Sequence, residues 1–456
     1  EGNDRTPLKG DIRLTDSEVR DILALDKKFT RFMLVLNVGG VVDLSPVMGV
    51  RNILLLSQLG VETGGALADI LLGKANPSGK LTTTWAAFEE YPEMPDFEDM
   101  NETRYREGIY VGYRYFETFA KDKVLYPFGY GLSYTNFKQE IESSTMENGT
   151  ITLNVKVTNT GDVDGKDVVE VYYNPPYTNG GIEKSSANLI EFAKTDLLQP
   201  GESQTVTVTF SIEDMASYDE NHAKAYVLEK GDYAISINSD SHTVLDQKTY
   251  TADKDVVYKG ENKRASDDTA ATNVFEDAKG DVTYLSRADH FANYEEATAA
   301  PASAELGEPY VSEYHLNSNF DKTTYLNDED VMPTTGADNG LTLADMRDAD
   351  YDDPRWEKLL DQLTVDEMAN MIAMAGYQTA AMDSVGKVAT LDFDGPAAIN
   401  NNFTGVGSIG FPIEVVIAST WNKELAQTWG ECMGKISQEM GAEGWYAPGM
   451  LSLIHI

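Results

Sequence analysis

The chain reads as a multidomain protein that combines α/β with all-β architecture, and three observations predict it. Between residues 1 and 137, short apolar runs alternate with helical patterning, the signature of parallel strands joined by helices. Over 138–255 the apolar residues recur at every second position, as they do in a sandwich of antiparallel strands. After residue 345 the helical period returns and opens a second α/β domain that runs over 346–450. A chain of 456 residues is long enough for about three domains.

The elements follow in order. Thr15-Asp16-Ser17-Glu18 is a capping box, in which hydroxyl and carboxylate satisfy free backbone donors, and it predicts a helix over 16–25 with Val19, Ile22 and Leu23 on one face. The apolar run 32–38, closed by Gly39-Gly40, predicts a buried strand; 53–56 repeats it, and 65–72 reads as a helix stopped by Gly73. Ile151, Leu153, Val155 and Val157 alternate with polar residues, as do Val206, Val208, Phe210 and Ile212, with turns at Asn159-Thr160-Gly161 and Pro200-Gly201. The stretch 256–345, rich in Asp, Ala, Asn, Ser and Thr, lacks a period and is expected to be a linker or a segment wrapped over its neighbours. A second capping box, Thr364-Val365-Asp366-Glu367, opens a helix with Met368, Met371 and Ile372 on one face.

Charge narrows the partners. Asp plus Glu number 75 against 36 Lys plus Arg, a formal charge of −39, which repels phosphate backbones and anionic membrane surfaces but not a neutral sugar. Nucleic acid is therefore not expected as a partner, and no run reaches the ~18–20 apolar residues of a membrane span. Cys432 is the single cysteine, so there is no intrachain disulfide framework or thiolate cluster, and it is expected to be a small buried hydrophobe. The chain opens at Glu1-Gly2-Asn3-Asp4-Arg5 without an initiator Met, and the native N-terminus is expected to lie upstream, leaving compartment and oligomeric state unread.

Cofactor motifs fail on inspection. Gly405-Val406-Gly407-Ser408-Ile409-Gly410 has the letters of a dinucleotide fingerprint, but no strand leads into it and Phe411-Pro412 follows. The segment 73–81 resembles a phosphate loop with its glycines one residue too far apart and Leu81 where a magnesium-binding hydroxyl is needed. Asp348, Asp350 and Asp352 alternate like a calcium loop, yet Asp353 stands where Gly is needed and Leu359 where a bidentate Glu is needed. His222, His242, His290, His315 and His455 have no zinc spacing, and no hydrolase nucleophile elbow is present. No cofactor and no metal are predicted, which leaves carboxylates to carry the chemistry.

Several strings together resemble glycoside hydrolase family 3. Gly60-Val61-Glu62-Thr63-Gly64 with Ala68-Asp69, Asn76-Pro77-Ser78-Gly79-Lys80-Leu81, the run 105–115 (Tyr-Arg-Glu-Gly-Ile-Tyr-Val-Gly-Tyr-Arg-Tyr) and the run 127–134 (Pro-Phe-Gly-Tyr-Gly-Leu-Ser-Tyr) are similar to its C-terminal α/β-sandwich domain. Val157-Thr158-Asn159-Thr160-Gly161 and Leu198-Gln199-Pro200-Gly201-Glu202 resemble the fibronectin-III-like module that packs beside that domain. Leu363-Thr364 through Met368, Asp394-Gly395-Pro396, Phe411-Pro412, Thr420-Trp421-Asn422 and Tyr446-Ala447-Pro448 resemble the opening of its (β/α)8 TIM barrel. The barrel usually comes first; here it comes last, as in an inverted subgroup.

The resemblance implies a retaining β-glycosidase, a β-glucosidase acting on terminal β-D-glucosyl residues of glucosides or oligosaccharides through two carboxylates about 5 Å apart. Glu1 matches the general acid/base, whose carboxyl must stay protonated near neutral pH. Asp394 matches a barrel residue that accepts hydrogen bonds from hydroxyls of the bound sugar; as bare sequence, Asp-Gly-Pro is also a turn-former. The nucleophile, a late barrel Asp, has no counterpart in this chain, so the fragment itself is expected to be inactive. A β-xylosidase or arabinosidase of the same family is the alternative enzyme, and a non-catalytic carbohydrate-binding or structural protein the alternative class. The closing residues 451–456 (Leu-Ser-Leu-Ile-His-Ile) depart from the family pattern and match the translation of a sequencing-library transposon end, so they are expected to be foreign and His455 is set aside as a ligand.

Overall fold

The computed structural model describes residues 8–92, 104–276, 282–299, 323, 327–395, 397–401 and 405–447. It divides into two compact units, Glu1–Ala304 with Val415–Leu425, and Glu305–Glu414 with Ala426–Ile456.

In the first unit, helix α1 (Asp16–Lys28) starts at the predicted capping box, with Thr15 Oγ1 accepting from the Glu18 amide and Glu18 Oε2 accepting from the Thr15 amide. It runs to Lys28, three residues past expectation, because Lys27 and Lys28 suit the negative end of the helix dipole. Strands β1 (Leu34–Leu36) and β2 (Ile53–Leu55) pair in parallel as predicted. Both are shorter than the apolar runs that announced them, since Val42, Leu44, Val47 and Val50 bury themselves in the intervening turn instead. Helix α2 (Thr63–Leu71) ends just before Gly73. The layer is not purely parallel, because β3 (Trp85–Ala86) and β4 (Val124–Tyr126) pair antiparallel, on either side of helix α3 (Tyr113–Phe119) in the sequence.

The predicted sandwich follows as β5 (Phe137–Glu147), β6 (Thr150–Asn159), β7 (Val168–Asn174), β8 (Asn188–Lys194), β9 (Ser203–Ser211), β10 (Ser217–Asp219), β11 (Ala225–Leu228), β12 (Gly231–Asp240), β13 (Thr243–Ala252) and β14 (Val256–Tyr258). Sheet β5-β6-β9 faces sheet β13-β12-β7-β8, with a small β10-β11-β14 sheet beside them. Ile151, Leu153, Val155 and Val157 point inward against Val169, Val171, Ile235 and Ile237, as period two requires. Part of the stretch without a period is wrapped structure: Leu285, Phe291 and, on the short helix α4 (Tyr294–Ala297), Ala297 bury themselves against Tyr110, Tyr115 and Phe116. Its anchor is Arg106, whose guanidinium donates to the carbonyls of Ala297 and Ala299.

The 76–81 and 127–134 strings form the seam between α/β layer and sandwich. Asn76 donates through Nδ2 to the Asp164 carbonyl (2.9 Å), and its Oδ1 accepts from Ser133 Oγ (2.9 Å) and the Tyr134 amide (2.8 Å). The segment 73–81 is thus a structural joint, not a phosphate loop. At Gly129, φ is +83°, and a Cβ would lie 2.2 Å from Glu170 Oε2, so only glycine fits. Trp421, 4% exposed, seals the same seam: its ring lies 5.3 Å from that of Phe128 and 5.1 Å from that of Phe192, and its Nε1 donates to the Lys80 carbonyl (3.2 Å). Lys194 Nζ donates to the carbonyls of Ser78 (2.8 Å) and Thr420 (2.6 Å), and burial pushes its ammonium down to about 8.

The second unit carries α5 (Arg355–Leu360) and α6 (Val365–Ala373), the latter on the predicted Thr364–Glu367 capping box. Ile372 departs from expectation: it is 79% exposed, while Met368 and Met371 are half-buried. A small sheet follows from β15 (Gln378–Thr379), β16 (Thr390–Asp394), β17 (Asn400–Asn401), β18 (Val406–Gly407) and β19 (Gly444–Tyr446); in the sequence α7 (Glu414–Ser419), which falls almost wholly in the first unit, and α8 (Lys423–Met440), most of it in the second, come before the last strand. β18 passes through the Gly-rich 405–410 string, which removes the dinucleotide reading. β16 and β19 are parallel neighbours, and Phe393 and Ile399 pack against Met433 of α8. Cys432 is half-buried, where full burial was expected, because the neighbouring Met433 takes the core position.

Two predictions follow from the seam. Trp421→Ala is expected to destabilise the first unit by about 3–5 kcal/mol in denaturant melts, the usual cost of emptying a large aromatic site; a loss under about 1 kcal/mol would show that the ring does not fill the joint. Glu170 is buried, accepts from the Tyr172 hydroxyl (2.8 Å) and has no partner at Oε1; burial holds its carboxyl well above the usual range. The folded state then keeps a proton that the unfolded chain releases above ~4.3, so this contribution is complete below that pH and disappears as pH rises through the folded value. Glu170→Gln should therefore flatten the loss of stability with rising pH, and a variant that retains the parental slope would show that Glu170 is ionised in the fold.

Candidate functional site

Asp394 closes strand β16. Side chains alternate along a strand, so with Phe393 turned into the α8 core at 2% exposure, Asp394 faces the other way and is half-buried. Two donors fix its carboxylate: the Tyr377 hydroxyl to Oδ2 (2.9 Å) and the Gly395 amide to Oδ1 (2.7 Å). Gly395 has φ +104°, and a Cβ there would meet the Ala398 carbonyl at 2.4 Å, so this turn requires glycine. Trp445 Nε1 donates to the Gly395 carbonyl (2.9 Å) and pins the far side of the turn. The bond to Asp394 holds the phenolic proton of Tyr377, raising that hydroxyl above its ordinary range. Tyr446, 76% exposed, is the register partner of Asp394 on the parallel strand β19.

A carboxylate offers about four acceptor sites, so two inbound bonds orient Asp394 and leave acceptors for hydroxyl groups of a ligand. It sits at the C-terminal ends of parallel strands, where α/β barrels carry their sites. A shallow groove of about 500 Å³ lined by Asn370, Met374, Thr390, Leu391 and Glu443 lies at the opposite, N-terminal end of β16; there the Leu391 amide donates to Glu443 Oε2 (2.8 Å), one donor where Asp394 has two. Among the described residues no three His, Cys, Asp or Glu side chains are grouped to hold a metal ion.

Glu117 and Glu170 are two buried carboxylates of the first unit whose carboxyls burial raises. Burial raises Glu117, countered by His242 and Lys121, and Ser241 Oγ donates to it (3.1 Å), so helix α3 is tied to the β12–β13 turn. Both serve the joint between layers. Glu1, His315, His455 and the final six residues lie outside the described residues.

The relatives place this architecture. Residues 1–134 match the glycosyl hydrolase family 3 C-terminal domain, and residues 167–241 match a fibronectin type III-like domain. The chain belongs to glycoside hydrolase family 3. Beta-glucosidase A of Butyrivibrio fibrisolvens is 33% identical over 97% of this family 3 chain and 56% of the relative. A beta-glucosidase of Ruminococcus albus is 36% identical over 56% of the chain and 27% of its own length. The crystal structure of a beta-glucosidase from Paenibacillus barengoltzii has a TM-score of 0.73 at 27% identity, covering 98% of the chain and 49% of that protein. Beta-glucosidase 3B of Thermotoga neapolitana in complex with glucose has a TM-score of 0.52 at 35% identity over 56% of the chain and 36% of that protein. The family 3 chain thus spans about half the length of the relatives it matches across its whole extent.

Tyr377 escaped the sequence reading altogether, because nothing in its neighbours marks a phenol 17 positions before Asp394 as its donor. Tyr446 stood in a recognised string, but its side of the strand becomes legible only once β16 and β19 are paired in parallel.

Proposed function

We propose that this family 3 chain is part of a retaining β-glycosidase acting on terminal β-D-glucosyl residues by double displacement. Glu1 is the general acid/base, and Asp394 is a ligand for hydroxyls of the non-reducing sugar. Residues 1–137 supply the α/β-sandwich domain, 138–255 the fibronectin-like support, 256–345 a connecting and wrapping segment, and 346–450 the opening of a (β/α)8 barrel. The nucleophile belongs to later barrel sequence that these 456 residues do not contain, and 451–456 are foreign. The observation that carries the reading is the oriented Asp394 carboxylate at the C-terminal end of β16, in a chain alike over 97% of its length to a β-glucosidase.

In this mechanism Asp394 works as an ionised acceptor: hydrogen bonds from sugar hydroxyls to a carboxylate are about twice as strong as neutral ones. Glu1 works protonated first and as a base afterwards, giving its proton to the leaving oxygen and then taking one from water. A β-xylosidase or arabinosidase remains the second reading, since an exo-alpha-(1->6)-L-arabinopyranosidase of Bifidobacterium breve is 34% identical over 49% of the chain and 29% of its own length.

The test is kinetic. The 456-residue chain should show no turnover of aryl β-D-glucosides, and the same chain joined to a complete barrel should hydrolyse them in preference to aryl β-xylosides and α-arabinosides. In that longer protein Asp394→Ala should lower kcat/KM by about a hundredfold or more, as expected when a charged hydrogen-bonding group is removed. Glu1→Ala should lose activity mainly towards poor leaving groups and regain part of it with azide. Turnover by the 456-residue chain would contradict the placement of the nucleophile, and unchanged kinetics for Glu1→Ala would remove Glu1 from the mechanism.

A further inference from the structure

We propose that Tyr377 is a positioning residue for Asp394 and Tyr446 an aromatic platform beside it, so that the three form a cradle for one pyranoside on the second unit. The inference rests on the sugar-binding reading of Asp394 and adds two residues to it.

Backbone strain is the first support. Tyr377 has φ +54°, a left-handed conformation that a bulky residue adopts only where its surroundings demand it, and such residues gather at ligand sites. What the conformation accompanies here is a phenol that donates to Asp394 Oδ2. A mere turn does not call for that bond, because the bond that shapes the Asp-Gly turn is the one from the Gly395 amide to Oδ1. With one donor on each oxygen, the plane of the carboxylate is fixed and each oxygen keeps a further acceptor site. Two adjacent acceptors in a fixed plane match two neighbouring hydroxyls of a pyranose ring.

The second support is the position of Tyr446. Register partners on parallel strands put their side chains on the same face, so its ring stands beside Asp394, and it is 76% exposed. Its phenol also lies near enough to Tyr377 to add to the upward shift of that hydroxyl. A pyranoside has a polar rim and an apolar C–H face; a fixed carboxylate next to an exposed aromatic ring offers one surface for each. Phosphorylated or acidic sugars would meet an unpaired negative charge here, which makes the occupant a neutral glycoside.

Saturation-transfer NMR on the full chain, with methyl β-D-glucopyranoside and its monodeoxy analogues, tests the cradle. The parent chain should bind the glucoside and discriminate against at least one deoxy analogue, and Asp394→Asn should lose both properties. Tyr377→Phe should weaken binding about tenfold and shrink the discrimination, with no change in melting temperature. Tyr446→Ala should weaken binding about three- to tenfold, while Tyr446→Phe restores it. Parental affinity and discrimination in Tyr377→Phe, with Asp394→Asn inactive in binding, would overturn the positioning role and leave the sugar site standing. Equal loss in Tyr446→Phe and Tyr446→Ala would overturn the platform. No binding by the parent, or unchanged binding by Asp394→Asn, would overturn the sugar site and the cradle with it. A pH titration of ¹³C-labelled tyrosine gives a reading that does not depend on how Tyr377→Phe folds: the Tyr377 phenol should titrate above the ordinary ~10 in the parent and fall in Asp394→Asn, and an ordinary value in the parent overturns the proposal.

Discussion

The close approach of the 127–134 turn to strand β7 is the constraint on which the first unit depends. Where Gly129 meets Glu170 there is no room for a side chain, and the contact buries a carboxyl that then favours its neutral form. Once the turn is seated, its carbonyls and rings have fixed places. Leu81 donates its amide to the Tyr130 carbonyl and accepts from the Gly129 amide, Ser241 donates its amide to the Phe128 carbonyl, and Tyr113 stacks on Phe128 at 4.6 Å. Trp421 then closes the seam from a distant part of the sequence, at φ +48°, a cost that its near-complete burial offsets. The strings by which the family is recognised are in this sense packing instructions: they specify where two layers touch.

The proposed site obeys the opposite logic. Asp394 is held by few neighbours, half-open to solvent, with its carboxylate oriented and its capacity to accept unspent. Burial raises the carboxyls of Glu117 and Glu170, yet their bonds run to side chains of the fold itself, Ser241 and His242 for Glu117 and Tyr172 for Glu170. A shifted pKa marks a functional candidate only when a ligand can reach the group. Geometry at the strand end therefore outranks the depth of burial in choosing the site, and it also outranks the groove at the other end of β16.

Local signals in the sequence carried most of the fold. Both capping boxes, at Thr15–Glu18 and Thr364–Glu367, are self-contained hydrogen-bond patterns, and both open helices where they stand. Period two over Ile151–Val157 needs only one strand and one core to be read. What failed depended on distant partners. The antiparallel β3–β4 pair joins residues some forty positions apart, and Leu285, Phe291 and Ala297 find their core on α3 and the turn before it, so a segment with no period of its own turned out to be partly packed. Ile372 looked like a core residue from its helical spacing, but it is 79% exposed. At the proposed site the same division holds: the turn at Asp394 was legible in Asp-Gly-Pro, whereas the bond from Tyr377 and the register with Tyr446 depend on an unusual backbone angle and on strand pairing.

The most direct measurement is a ¹⁵N NMR titration of the chain with methyl β-D-glucopyranoside, following the Gly395 amide, which donates to Asp394, and the Trp445 indole, which donates to Gly395. The account predicts that both signals move together and saturate on a common curve, because a sugar accepted by Asp394 must alter the bonds that hold its carboxylate. Signals that stay fixed there while Thr390, Leu391 and Glu443 respond would place the ligand at the other end of the strand and contradict it.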